Sequence, residues 1–136
     1  MSRKLLLIAA TLTLALLAVI DKLAFIHFWY WRHRWFDLPM HFLGGISVGL
    51  FCLFAYALYQ EVKGNGLLGF RPPALVNLTL VTTATIGVSW EIFEYFSGRM
   101  IRFSWWESLS DVIIGVGGAE LIVLTFIILW TWLQRK

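Results

Sequence analysis

Charge is what this sequence has least of. Only 14% of its 136 residues are Asp, Glu, Lys or Arg, against roughly 25% in an ordinary soluble domain. Meanwhile 60% are hydrophobic and 17% aromatic. A soluble fold of this length could not hide so much apolar surface at its surface-to-volume ratio. Disorder is excluded by the same numbers, because disordered chains are rich in charge and poor in aromatics. An integral membrane protein remains. Cysteine is nearly absent too: Cys52 is alone and lies in an apolar stretch, so no intrachain disulfide forms and redox compartment cannot be read. The net charge is +3 and the pI near 9.3, yet no basic run exceeds two residues, which argues against nucleic acid. Anionic lipid headgroups are the expected counter-charge. No internal repeat, low-complexity tract, P-loop or dinucleotide fingerprint is present.

What is there is a set of long apolar stretches. A helix crossing a hydrocarbon core of about 30 Å needs about 20 predominantly apolar residues. The pattern predicts four such spans in a single membrane domain, over residues 5–31, 39–59, 74–96 and 105–132. The first is expected to continue as helix past Asp21 and Lys22 into the aromatic run Phe28 to Trp31. Residues 1–20 also fit a signal peptide, but are read as part of the first span. Pro39 is placed where a first helical residue tolerates a missing N–H. The connecting loops are short, so the expected architecture is all-α, a four-helix antiparallel bundle. Counting Lys and Arg on the two sides favours cytoplasmic N and C termini. Trp29, Tyr30, Trp31, Trp35, Trp105 and Trp106 then mark the outer interface, and Tyr56, Tyr59, Trp130 and Trp132 the inner one.

With four alternating spans, acidic residues gather at the outer end from every helix: Asp21, then Asp37 with His41, then Glu91 with Glu94, then Glu107 with Asp111. His41 follows Asp37 by four residues, Glu94 follows Glu91 by three and Asp111 follows Glu107 by four, so each pair shares a helix face. Ionisable residues inside membrane spans are costly and usually face the bundle interior. Asp37, His41, Glu91, Glu94 and Asp111 are therefore the candidate metal ligands. Their hard oxygens and one imidazole suit zinc, manganese or iron. Glu91 and His41 are the candidate catalytic bases. Arg99 and Arg102, three apart in the following loop, are candidates for holding a phosphate or other anionic headgroup. Simpler roles compete: Asp37 as a helix cap, Ser104 and Glu107 as a capping box, Glu94 as an ion-pair partner of Arg99 or Arg102. Gly44, Gly45 and Gly49, with Gly115, Gly117 and Gly118, are expected to allow tight helix packing below the polar cluster. Glu120 stands apart near mid-membrane, placed either to contact another subunit or to be hydrogen-bonded inside the bundle.

Taken together, Asp37-Leu-Pro-Met-His41-Phe42-Leu-Gly44-Gly45, Trp90-Glu91-Ile-Phe-Glu94, and Ser110-Asp111 with Gly115 and Gly118 resemble the VanZ-like group of small bacterial membrane proteins, over about residues 37–118. Arg99 or Arg102 would supply that group's loop arginine. The glutamine often found after the glutamate is replaced around Glu94, and the asparagine often seen after the last aspartate is absent, which indicates a closely related subgroup. The resemblance implies a multi-pass protein of the bacterial inner (cytoplasmic) membrane engaged in envelope or lipid-linked work. The expected function is binding of a divalent metal ion or a lipid-like ligand in an outward-facing pocket, with hydrolysis or transfer at a phosphate or acyl group as the reaction class. The rival expectation is an accessory subunit or assembly factor whose aromatic faces and Glu120 meet a partner membrane protein or a second copy.

Overall fold

The computed structural model describes residues 3–64, 70–99 and 104–135. Among these the chain is all helical, in the order α1 (Arg3–Ile26), α2 (Trp29–Arg32), a 3-10 turn (Arg34–Phe36), α3 (Asp37–Val62), α4 (Pro72–Ser97) and α5 (Trp105–Gln134). Four segments are long and apolar enough to cross a membrane: Arg3–Ile26, Arg34–Val62, Pro72–Ser97 and Trp105–Gln134. Their exposed surface is dominated by leucine, isoleucine, valine and aromatic side chains, as a lipid-facing surface requires.

The first span ends sooner than its composition suggests. Helix α1 stops at Ile26, and Phe28 adopts a left-handed conformation with φ 59° before the short helix α2 begins. The polar chemistry supplies the reason. In a continuous helix Tyr30 would stand about 13.5 Å beyond Asp21, at 1.5 Å per residue. The reversal at Phe28 instead brings the Tyr30 hydroxyl to within 2.8 Å of Asp21 Oδ1, to which it donates. Burial and this bond to the Asp21 carboxylate push the Tyr30 phenol above its ordinary value, so it remains a donor. Edge-on packing of Trp31 against Phe25 and Phe28, and of Trp29 and Tyr30 against Phe36, offsets the cost of a left-handed phenylalanine.

Helix α3 begins two residues before Pro39, at Asp37. Proline is still harmless there, because the first four N–H groups of a helix have no intrahelical acceptor. Helix α4 likewise begins two residues before its expected start at residue 74. Pro72 and Pro73 occupy the first two positions of α4, and Gly98 ends it in a left-handed cap at φ 70°. The Arg99 N–H then donates back to the Glu94 carbonyl at 3.1 Å, the usual αL closure. Ser104 caps α5 by accepting from the Glu107 N–H, which is half of the expected capping box. The Glu107 carboxylate turns instead to Arg34, at 3.0 Å.

The spans alternate in direction along the chain, but the most closely packed pair, α3 and α5, runs the same way. Gly45 faces Gly115 and Gly49 faces Ala119, so two small-xxx-small surfaces meet in register. Helix α4 packs on both α5 and α3, whereas α1 packs on α3 and scarcely meets α4. An apolar core of Leu6, Ala10, Leu50, Leu53, Tyr56, Leu75 and Val123 fills the end of the bundle away from the acidic residues. Tyr56 belongs to that core rather than to an interfacial belt. It is 8% exposed, and its hydroxyl accepts from the Arg71 N–H at 2.9 Å and from Gln60 Nε2 at 2.8 Å, fixing the entry to α4. Arg3 and Glu61 form an ion pair at the same end.

Candidate functional site

At the opposite end α3, α4 and α5 converge, and each contributes acidic side chains. Asp37 is the first residue of α3, and the N-cap position before it is held by Phe36. Its carboxylate faces one turn down the helix, with Oδ1 3.6 Å from His41 Nε2. The same nitrogen lies 3.6 Å from Glu91 Oε1 on α4. Both separations are ion-pair distances just beyond hydrogen-bond reach, so His41 stands between two carboxylates without being closed onto either. Glu91 Oε1 is enclosed and has no hydrogen-bond partner. Asp111, one turn into α5 after Glu107, is 7% exposed.

Two overlapping triads result. One ligand atom from each of Asp37, His41 and Glu94 lies within 4.8 Å of the others, and the same is true of His41, Glu91 and Asp111. His41 is common to both. Five residues on three helices thus form two sets of possible ligand atoms joined through His41, with a single basic side chain among four carboxylates. Donors around a zinc ion at about 2.0–2.2 Å would stand closer together than 4.8 Å, a contraction within the reach of side-chain rotation. The cluster opens into a cavity of about 630 Å³ at this end of the bundle, whose wall includes Tyr30, Arg99, Ser104 and Glu107.

Arg99 stands on that wall with its charge already matched. Its Nη2 lies 2.8 and 3.1 Å from the two carboxylate oxygens of Asp21, and its guanidinium sits over the rings of Phe25 and Trp90 at 5.4 and 5.8 Å. Such an arrangement joins ion pairing to cation–π attraction. It ties the end of α4 to α1 rather than to Glu94, the partner suggested by closeness in sequence. Arg102 lies outside the described residues. The connection of Asp21 with Arg99 and Tyr30 is what sequence reasoning did not reach: the residues are 78 and 9 positions apart, and no helical period links them.

Glu120 lies apart from this cluster, as its spacing from Asp111 implies. Among the described residues both of its carboxyl oxygens are enclosed and without a hydrogen-bond partner, so of the two expected placements the hydrogen bond within the bundle is not made there. An unsatisfied buried polar group costs about 1–3 kcal/mol. Glu120→Met, which keeps the length of the side chain and removes both oxygens, is therefore expected to stabilise the detergent-solubilised protein by about that amount, read as a higher thermal midpoint. An unchanged or lowered midpoint would mean that Glu120 has a stabilising role.

The family comparison covers nearly the whole bundle. Residues 2–133 match the model of the family described as "Predicted membrane protein (DUF2238)". The chain belongs to this family. The match therefore places all four spans and the acidic cluster inside one family unit of membrane protein. No curated protein and no solved structure matches the chain.

Proposed function

We propose that this DUF2238 protein is a multi-pass protein of the bacterial cytoplasmic membrane that binds one divalent cation, zinc, manganese or iron, between Asp37, His41, Glu91, Glu94 and Asp111. The bound ion would hold the polar head of a lipid-like envelope ligand. The observation that carries this reading is the position of His41, whose Nε2 is 3.6 Å from both Asp37 and Glu91 and which belongs to both groups of possible ligand residues. Four carboxylates with one imidazole would leave an excess of negative charge within a membrane span, a costly arrangement unless protons or a cation compensate it. The two guanidiniums on the cavity wall are already matched, Arg99 by Asp21 and Arg34 by Glu107.

Hard oxygen donors with one nitrogen suit these metals, and a divalent cation here would supply a Lewis acid for a phosphate or acyl oxygen. Asp111 and Asp37 would hold the ion from α5 and α3, and Glu91 is the group with an enclosed, unpartnered oxygen free to accept a proton. The VanZ-like resemblance supports the same assignment, because residues that carry it, Asp37, His41, Glu91 and Asp111, are among those that meet here. Positive-inside counting supports cytoplasmic termini, which puts the cavity on the outer face.

Elemental analysis of the purified protein tests the reading. It predicts about one equivalent of a divalent transition metal, lost in Asp111→Ala. Metal-free protein that takes up no zinc or manganese on addition would refute it. Purification with a stoichiometric membrane partner, with assembly unaffected by Glu91→Gln, would support an accessory subunit instead.

A further inference from the structure

The cluster has a second opening, and it faces sideways. Because α1 packs on α3 and scarcely meets α4, a groove remains between them with α3 as its floor. Its walls are Leu14 and Leu17 of α1, Val48 and Phe51 of α3, and Ile86 and Trp90 of α4. The groove has a volume of about 650 Å³ and is continuous at its upper end with Asp37, His41, Glu94 and Asp111. Gly44 keeps its floor low: a Cβ there would meet only Leu17 Cδ2, at 3.7 Å.

We infer that this groove is the binding site for one acyl chain of a membrane lipid, which enters laterally and presents its head group to the carboxylate–histidine cluster. The inference rests on the reading of that cluster as the place where a polar head is met. Dimensions choose the occupant. From His41 to Phe51 the floor descends about 15 Å at 1.5 Å per residue, half of a hydrocarbon core of about 30 Å, so the groove has the depth of one leaflet. A single hydrocarbon chain is slender enough to lie along that depth between two helices that scarcely touch. Its chemistry matches as well. Apart from the hydroxyls of Ser47 and Thr83 the walls are apolar, and they are ionisable at one end only, which is the polarity of a lipid. The Arg99–Asp21 contact joins α1 to α4 directly above, so the head group has a fixed boundary while the groove below stays open to the bilayer.

The test uses a phospholipid carrying a photoactivatable diazirine in its acyl chain, at trace level in phosphatidylcholine vesicles containing the full-length protein, with labelled residues mapped by mass spectrometry. Labelling is expected to concentrate several-fold on the six groove residues over exposed positions elsewhere, such as Leu12 and Leu121. Gly44→Phe, whose ring would grow into the groove, is expected to remove that enrichment, and Leu121→Phe to leave it intact. Val48→Trp fills the same space from the floor and serves if Gly44→Phe accumulates poorly. Even labelling of all exposed apolar positions, or enrichment that survives both filling variants, would overturn the inference. Chelator-washed protein separates the two readings: enrichment without any metal uptake refutes the cation centre alone, and stoichiometric metal with even labelling refutes the groove alone.

Discussion

His41→Ala is expected to abolish divalent-ion binding, with a loss of affinity larger than the roughly 10–100-fold seen when only an outer-shell partner is removed. His41 supplies the only nitrogen of the cluster, and it is the one residue common to both groups of ligand atoms. Every other member belongs to one group. Asp37→Ala is accordingly expected to weaken binding less, since His41, Glu91 and Asp111 remain within reach of one another. The fold should survive, because among the described residues the imidazole makes no side-chain hydrogen bond, its closest carboxylates standing 3.6 Å away. Thermal scans in detergent make the distinction. Added zinc should raise the midpoint of the parent protein by mass action and leave that of His41→Ala unmoved. Equal stabilisation of both proteins would place the ion elsewhere.

Gly45→Leu is expected to prevent folding, and even Gly45→Ala to be severely destabilising. A Cβ at residue 45 would run into the carbonyl of Gly115, and one at Gly118 into the carbonyl of Phe42. Backbone cannot swing aside as a long side chain can. At Gly49 the conflict is with Ile122 Cγ2 at 2.5 Å and with the Ala119 carbonyl at 2.7 Å, so part of it can be relieved by rotation. In a bilayer the hydrophobic effect does not drive helices together, and close van der Waals packing carries the association. Separating α3 from α5 therefore removes the main interface of the bundle. The cost should exceed the 1–3 kcal/mol typical of overpacking a soluble core, and should appear as aggregated rather than monodisperse protein on size exclusion. Gly117, where a Cβ meets nothing within 4 Å, provides the control: Gly117→Ala should behave like the parent. If Gly45→Ala folds and scans normally, the α3–α5 contact is not what holds the bundle.

The acidic cluster was legible in the sequence because it rests on local periodicity. Asp37 with His41 and Glu91 with Glu94 are spaced to share a helix face, and alternation of four spans puts those faces at one end. The expectation that the span glycines mark close helix contact holds at Gly45, Gly49 and Gly118, where an added Cβ would meet the facing helix, but not at Gly44, which lines the groove, or at Gly117, where a Cβ meets nothing within 4 Å. What escaped depends on how the helices are arranged around one another. Helical period says nothing about which spans are neighbours, so the parallel pairing of α3 with α5 and the gap between α1 and α4 could not be read. Composition also misled at Phe28: the run Phe28 to Trp31 is apolar enough to extend α1, but the bond from Tyr30 to Asp21 requires the chain to turn back. The same holds for Tyr56, whose interfacial position by sequence gives way to a buried hydroxyl tied to Arg71 and Gln60. Asp37 shows the opposite case, an apparent cap that the structure turns toward His41 instead.

X-ray absorption of the zinc-loaded protein is the most direct test of the cation centre. The account predicts a first shell of one imidazole nitrogen and carboxylate oxygens, at about 2.0–2.2 Å, and loss of the imidazole signature in His41→Ala. A shell containing sulfur, which only Cys52 or a methionine could supply, or one whose imidazole signature survives that substitution, would contradict it.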